Sequence, residues 1–384
     1  MQFIDLKTQY SQLKEKIDSN IHKVLDHGQY VMGPEVIELE QKLAEFAGTK
    51  YCVSCSSGTD ALVMALMAYG ISEGDVVITT PFTFIATAEA IKFVGATPLF
   101  VDIDKDTYNI SPEKLEQTLT SIADKESTIH DSICTDIGKI KAVISVDLFG
   151  LPADATEINR IAKKHNLIVI EDAAQGFGGA IDGKRAGSLS DIGCTSFFPA
   201  KPLGCYGDGG AIFTDCEETA ARLKSIRVHG QGEDKYQNVR LGLTGRLDTI
   251  QAAVLLPKLE VFETEIEQRQ SVAESYSSQL RDIEGLTVPS VQAGYVSAWA
   301  QYTLMAKSEE HRSQIMEHLK SNNIPVAVYY PIPLHEQKVF ESLGYQSNDF
   351  EVSSFAAKRV FSLPMHPYLR NEEIEHICKL IKEL

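Results

Sequence analysis

The 384-residue sequence lacks any uninterrupted apolar stretch of the roughly 20 residues that a membrane-spanning helix needs. Its opening, Met1-Gln2-Phe3-Ile4-Asp5-Leu6-Lys7, has no basic-then-apolar run of the secretory kind, so a cytoplasmic protein outside the membrane is expected. Positive charge is scarce: 36 Lys and Arg stand against 53 Asp and Glu, a formal net charge of −17. A field of that sign repels nucleic-acid phosphates and anionic lipid, so neither is an expected partner. An anionic small molecule would need local Arg, Lys or helix N-termini. The seven cysteines are odd in number and scattered, unlike the disulfide framework of a small secreted domain, so reduced and buried thiols are expected. No second CxxC accompanies Cys52-Val53-Ser54-Cys55 and the ten histidines include no HExxH spacing, so no metal is expected. Repeats and low-complexity tracts are also absent, which excludes a solenoid and a disordered tail.

What is present is an ordinary globular composition, 43% hydrophobic and 23% charged, in a chain long enough for a sizeable core. Helical patterns at about 9–27 and 35–46, broken by Gly28 and Gly33, read as an N-terminal arm. From Tyr51 onward strand-like segments (51–54, 76–79, 97–101, 141–146, 167–170, 195–198, 210–213) are interleaved with helix-like ones (61–69, 86–94, 155–164). That alternation predicts an α/β domain with a mostly parallel, helix-covered sheet, and such sheets bind ligands beyond the carboxyl ends of their strands. A long helix over 249–279 leads to a second, smaller domain, in which 301–306 and 325–330 read as strands and 309–321 as a helix. The division expected is 1–260 for the arm and large domain and 261–384 for the small one.

Three motifs carry chemistry. In Ser56-Ser57-Gly58-Thr59-Asp60 a strand ends, a glycine allows close backbone approach and an apolar helix begins, an arrangement that cradles phosphate. Thr59 or Asp60 could alternatively be a simple N-cap, the commoner use of such residues at a helix start. In Leu167-Ile168-Val169-Ile170-Glu171-Asp172-Ala173-Ala174-Gln175 a strand delivers Asp172 to its carboxyl end, where a carboxylate can pair with a protonated pyridine or merely cap the next turn. In Ser196-Phe197-Phe198-Pro199-Ala200-Lys201-Pro202 a lysine sits between two prolines, just before the cluster Gly207-Asp208-Gly209-Gly210. A rigid, largely apolar setting depresses a lysine's pKa and lets its amine attack a carbonyl. In this order the three motifs match the attachments of pyridoxal phosphate (PLP): phosphate, ring nitrogen and Schiff base.

On these residues, and from Phe3-Ile4-Asp5-Leu6 to about Pro367, the sequence resembles the DegT/DnrJ/EryC1/StrS family of sugar aminotransferases. The resemblance implies fold type I of the PLP-dependent transferases, with a mostly parallel, seven-stranded type of sheet, and a homodimer with active sites at the subunit interface. It makes Lys201 the Schiff-base lysine, Asp172 the partner of the ring nitrogen and Gln175 a ring contact. Gly58, Thr59 and Ser196 become phosphate contacts and Phe84 an aromatic stacked on the ring, although an aromatic in an apolar segment also serves as plain core. Thr244 occupies the place of a family Asn that reaches the neighbouring subunit's phosphate; its hydroxyl is a shorter donor. Arg246 lies in the same cross-subunit segment. Arg227, His229, Arg246, Tyr329, Tyr330 and His335 are the implied substrate contacts.

Within the family the likeness implies amination of C3 of a UDP-linked 2-acetamido-2-deoxy-3-oxo-hexuronate, with glutamate as donor, for bacterial surface polysaccharide such as O-antigen or capsule. The alternatives are a dTDP-, UDP- or GDP-linked 3- or 4-keto-6-deoxy sugar, a PLP lyase and a catalytically silent regulator. Lys201 argues against the related dehydrases, which carry His in its place.

Overall fold

A computed structural model describes every residue of the chain except Lys235. Two helices open it, α1 (Leu6–His27) and α2 (Pro34–Ala47). The Asp5 carboxylate caps α1 by accepting from the Thr8 amide at 2.9 Å, and Gly28 ends the helix at φ 70°, a left-handed conformation that suits glycine. Strands and helices then alternate as β1 (Tyr51–Cys55), α3 (Gly58–Ala68), β2 (Val76–Thr79), α4 (Ala86–Phe93), β3 (Thr97–Phe100), α5 (Pro112–Ala123), β4 (Ile140–Val146), α6 (Ala155–Lys164) and β5 (Ile168–Asp172). A short hairpin of β6 (Ala180–Ile181) and β7 (Lys184–Arg185) precedes β8 (Ile192–Ser196), β9 (Gly210–Thr214), α7 (Glu217–Ile226) and α8 (Thr249–Leu280). The chain ends with β10 (Leu286–Thr287), β11 (Tyr295–Val296), β12 (Tyr302–Ala306), α9 (Glu309–Ser321), α10 (Glu351–Arg359), β13 (Val360–Leu363) and α11 (Asn371–Lys382).

Seven strands form the main sheet in the order β1-β9-β8-β5-β4-β2-β3, and β9 alone runs against the rest. This is the mostly parallel α/β sheet expected. Strands such as β2 and β9 are buried along their whole length because helices cover both faces, so their sequences are apolar throughout rather than alternating. The parallel order brings the carboxyl ends of β1, β8, β5 and β4 to one edge, and the register fixes Val146 opposite Asp172 and Asp172 opposite Cys194. Gly210, the first residue of β9, pairs with both Cys55 and Ser196 at that same edge.

Helix α8 crosses residue 260. Its first half, with Leu255, Phe262 and Ile266, packs in the large sheet's core, whereas Val272, Tyr276 and Leu280 join the core beneath β10, β12, β13, α9 and α11. The segment expected as a strand over 325–330 is irregular and pairs only at Ala327 with Ser362, because Pro325 and Pro331 lack the amides a ladder requires. Six cysteines are buried and free, as expected, but Cys216 is exposed at the surface start of α7. Among the described residues no helix is long and apolar enough to cross a membrane.

Candidate active site

The strand ends open into a cavity of about 450 Å³ lined by the last residues of β4, β5 and β8, the start of α3 just past β1, and Tyr329 and Tyr330 from the C-terminal region. Its first wall is the start of α3. Ser57 is the true cap there, its hydroxyl accepting from the Asp60 amide at 3.0 Å, while the Ser56 hydroxyl donates to the Asp60 carboxylate. The caps expected of Thr59 or Asp60 are therefore not used, and Thr59 lines the cavity instead. A Cβ on Gly58 would stand 2.6 Å from the Cβ of Ser196, so only glycine lets the α3 N-terminus and the end of β8 close together into a cradle. Helix N-terminal amides and hydroxyls in this arrangement suit a phosphate.

At the end of β5, Asp172 is 6% exposed. One carboxylate oxygen accepts from the Thr87 hydroxyl at 2.8 Å and the other from the Ala174 amide at 3.2 Å. Asp172 thus does cap the next turn, but it also faces the cavity, so the two readings of this residue are compatible. Burial raises its pKa; the hydrogen bonds from Thr87 and Ala174 and the charge of Lys201 oppose that rise. A buried carboxylate with few compensating donors is poised to pair with a ring cation. Gln175 stands beside it, its Oε1 accepting from the Phe149 amide at 2.9 Å and its Nε2 donating to the Tyr330 hydroxyl at 3.2 Å.

Lys201 enters from the turn after β8. That turn is tied down by the Lys201 amide donating to Phe198 O at 2.8 Å, the Cys205 amide to Phe197 O at 2.8 Å and the buried Lys258 ammonium to Gly204 O at 2.6 Å. The Lys201 amine is left free to reach the cavity. Burial lowers its pKa, against the pull of Asp172, and so raises the fraction of neutral amine able to attack a carbonyl. Cys205, by contrast, is fully buried with its thiol donating to the carbonyls of Phe197 and Gly207 and its pKa pushed up to about 11, which leaves no reactive thiolate beside the lysine. Phe84 lines the cavity, 53% exposed, with its ring 6.2 Å from that of Tyr330.

Other expected contacts stand apart from the cavity. Arg227 is buried, its guanidinium donating to Glu40 and to the Ser54 carbonyl at 3.0 Å, so the substrate role expected of it gives way to an ion pair behind β1. His335 is buried too, its ring packed edge-on against Phe350 at 4.7 Å and away from the cavity lining, so it is a core residue rather than a substrate contact. His229 and Thr244 bond to each other at 2.8 Å on the surface. Arg246, partly buried, has no hydrogen-bond or ion-pair partner among the described residues. Thr87 and Gln301 also line the cavity without a site role in the sequence reading, whereas Ser57 and Asp208, also in the lining, belong to the cradle motif and the glycine cluster. Ile4 lines the cavity as well, and it lies in the Phe3–Leu6 stretch that carried the family resemblance. Thr87 had no signal, since only the fold brings α4 under β5.

Phosphate cradle, buried carboxylate and free lysine are the donor set that PLP requires, and they surround one space. A profile of the DegT/DnrJ/EryC1/StrS aminotransferase family matches residues 11–382. The chain is 47% identical, over 98% of its own length and 98% of the other, to the UDP-2-acetamido-2-deoxy-3-oxo-D-glucuronate aminotransferase of Pseudomonas aeruginosa. It is 38% identical, over 99% of its length and 96% of the other, to a UDP-N-acetyl-3-dehydro-alpha-D-glucosamine 3-aminotransferase of Acidithiobacillus ferrooxidans. The crystal structure of a DegT DnrJ EryC1 StrS aminotransferase from Brucella abortus superposes with a TM-score of 0.93 at 44% identity, covering 100% of this chain and 99% of that one.

Proposed function

The chain belongs to the DegT/DnrJ/EryC1/StrS aminotransferase family and is a PLP-dependent aminotransferase of nucleotide sugars, and we propose that it aminates C3 of a UDP-linked 2-acetamido-2-deoxy-3-oxo-hexuronate. The observation that carries this choice is the 47% identity, over nearly the whole of both chains, to an enzyme named for that substrate. Glutamate is the donor, the reaction takes place in the cytoplasm, and the product serves surface polysaccharide.

Bound in the cavity, PLP supplies a carbonyl that exchanges amines and a ring that accepts electrons. Ser57, Gly58, Thr59 and Ser196 hold the phosphate. Phe84 would lie against the ring, and Gln175 would contact it near the 3-hydroxyl. Asp172 keeps a proton at the ring nitrogen, so that negative charge developing at the donor's Cα is met by a fixed positive charge. The Lys201 amine would move a proton from the donor's Cα to the cofactor's C4′ in the first half-reaction and from C4′ to the sugar's C3 in the second, as a positioned base of moderate pKa does. Tyr329 and Tyr330 close the cavity over the sugar.

The cavity also argues for a second copy of the chain. Lys201 is its one basic lining residue among those described, yet a cofactor phosphate, a diphosphate and a uronate carboxylate all need cations. Arg246 has a free guanidinium, and where Leu241 and Phe93 line one surface hollow Leu241 is 86% exposed and Phe93 66%. In a homodimer that surface is covered, and Arg246 and Thr244 reach the partner's cavity, Thr244 at the phosphate and Arg246 at the uronate. To test the substrate, the enzyme is loaded with pyridoxamine phosphate and mixed with a panel of keto sugar nucleotides. The UDP-3-oxo-uronate is expected to restore the visible cofactor band fastest; a response to 4-keto-6-deoxy sugars alone would overturn the proposal.

A further inference from the structure

Behind Asp172 lies a pair of acids that the reaction as described does not use. Asp147, just past β4, and Glu171, on β5, are each about 1% exposed. Glu171 is well supplied with donors, accepting from the Gly187 amide at 2.6 Å on one oxygen and from the Leu189 amide at 2.9 Å on the other. Asp147 accepts from the Ala153 amide at 2.9 Å on Oδ1, while its buried Oδ2 has no donor at all. Glu171 lies opposite Ser145 across β4 and β5, two residues before Asp147, and its carboxyl neighbours that of Asp147. Two carboxylates cannot lie side by side, buried, without a proton or a cation between them. The charged groups facing the pair are Asp172, itself acidic, and the exposed Lys184 on β7, beside Glu171.

The pair is built into the cofactor-facing turn. The Asp147 amide donates to Asp172 O at 3.1 Å, and the Phe149 amide holds the Gln175 side chain. A Cβ on Gly176 would stand 2.4 Å from Asp147 Oδ2, so the turn from Asp172 to Gly176 rests directly on this carboxyl. We propose that Asp147 is a neutral carboxylic acid whose Oδ2 donates its proton to Glu171. As a positioning residue it fixes the Asp172–Gln175 turn and leaves Asp172 as the carboxylate that meets the ring. The proton rests on the burial of both acids, their adjacency across β4 and β5 and the donorless Oδ2; the consequence for the cofactor rests on the reading of Asp172 given above.

Burial pushes the Asp147 pKa well up and that of Glu171 to about 7, which agrees with one shared proton. The sign of the pH effect follows. The folded chain keeps a proton that the unfolded chain releases above the ordinary carboxylate range, so this pair's contribution to stability falls as pH rises towards and through about 7.

Three readouts test the shared proton. Infrared spectra of the holoenzyme at neutral pH should show a protonated-carboxyl stretch that Asp147→Asn removes. Because an amide N–H can donate to Glu171 in the same way, D147N should keep wild-type cofactor affinity, while D147L, which leaves Glu171 without that donor, should weaken it by about 10-fold or more. Relative to D147N, the wild type should lose thermal stability between about pH 5 and about pH 8. No such stretch, a pH-independent stability difference, or a D147N protein that fails to fold or binds cofactor as poorly as D147L would overturn the inference. A colourless wild-type holoenzyme would instead count against Lys201 as the cofactor's anchor, and the infrared result would stand apart from it.

Discussion

At the floor of the cavity Asp172, Gln175 and Lys201 reach one space from one protomer, whereas the segment from Arg227 to Arg246 scatters its expected residues. Arg227 is locked in an ion pair, His229 and Thr244 hold each other, and Arg246 is free. The two regions differ in what fixes them. A residue at the carboxyl end of a sheet strand has its place set by strand order and register, so its neighbours follow once the alternating pattern is read. The 227–246 segment lies between helices α7 and α8, tied to itself by isolated bridges such as Val228 with Thr244, and the proposed function assigns its chemistry to the cavity of a second copy.

Substitutions can break or sharpen that contrast. The largest effect is expected on the floor: Asp172→Ala should lower kcat by about 10²–10³-fold at saturating cofactor, because a fixed charge at the ring nitrogen is lost. Single-turnover kinetics would check it, and a loss confined to KM would argue against the assigned role. Arg227→Ala should act on folding instead, costing about 3–5 kcal/mol by stranding Glu40 in a buried setting, with KM for the sugar unchanged in whatever protein folds. Chemical denaturation alongside steady-state kinetics separates the two effects. Arg246→Ala should raise KM for a uronate acceptor by about 10-fold while leaving a neutral 3-oxo sugar little changed, as expected for the loss of one charge-assisted contact. Equal effects on both acceptors would remove the uronate assignment. Smallest of all, Thr244→Ala should weaken cofactor binding by under about 1 kcal/mol, a single neutral hydrogen bond, as read by PLP titration.

Much of the cavity was legible because its parts are local. The strand ends at Cys55, Asp172 and Ser196 and the lysine turn each announce themselves by an apolar run followed by polar or glycine-rich residues. Regular elements with strong periodicity were read to within a few residues; α6 and α9 match their expected spans. Helices α5, α7, α10 and α11 lie outside the segments that the sequence pattern marks, and Pro325–Tyr330 reads as a strand because its apolar and aromatic composition outweighs its flanking prolines. Arg227 illustrates a different failure. A lone arginine in a family-like segment suggested an anion, yet Glu40, its partner, lies far away in sequence on α2, and nothing local in either residue betrays a pairing that depends on tertiary packing. The pairing of Asp147 with Glu171 has no local signal for the same reason, since it exists only once β4 and β5 are side by side.

The most direct test of the whole account is the visible absorption of the purified protein in the presence of PLP. The account predicts a band that borohydride bleaches in the wild type and that is missing from Lys201→Ala. A Lys201→Ala protein that keeps a borohydride-sensitive band, or a wild type that stays colourless with added PLP, would contradict it.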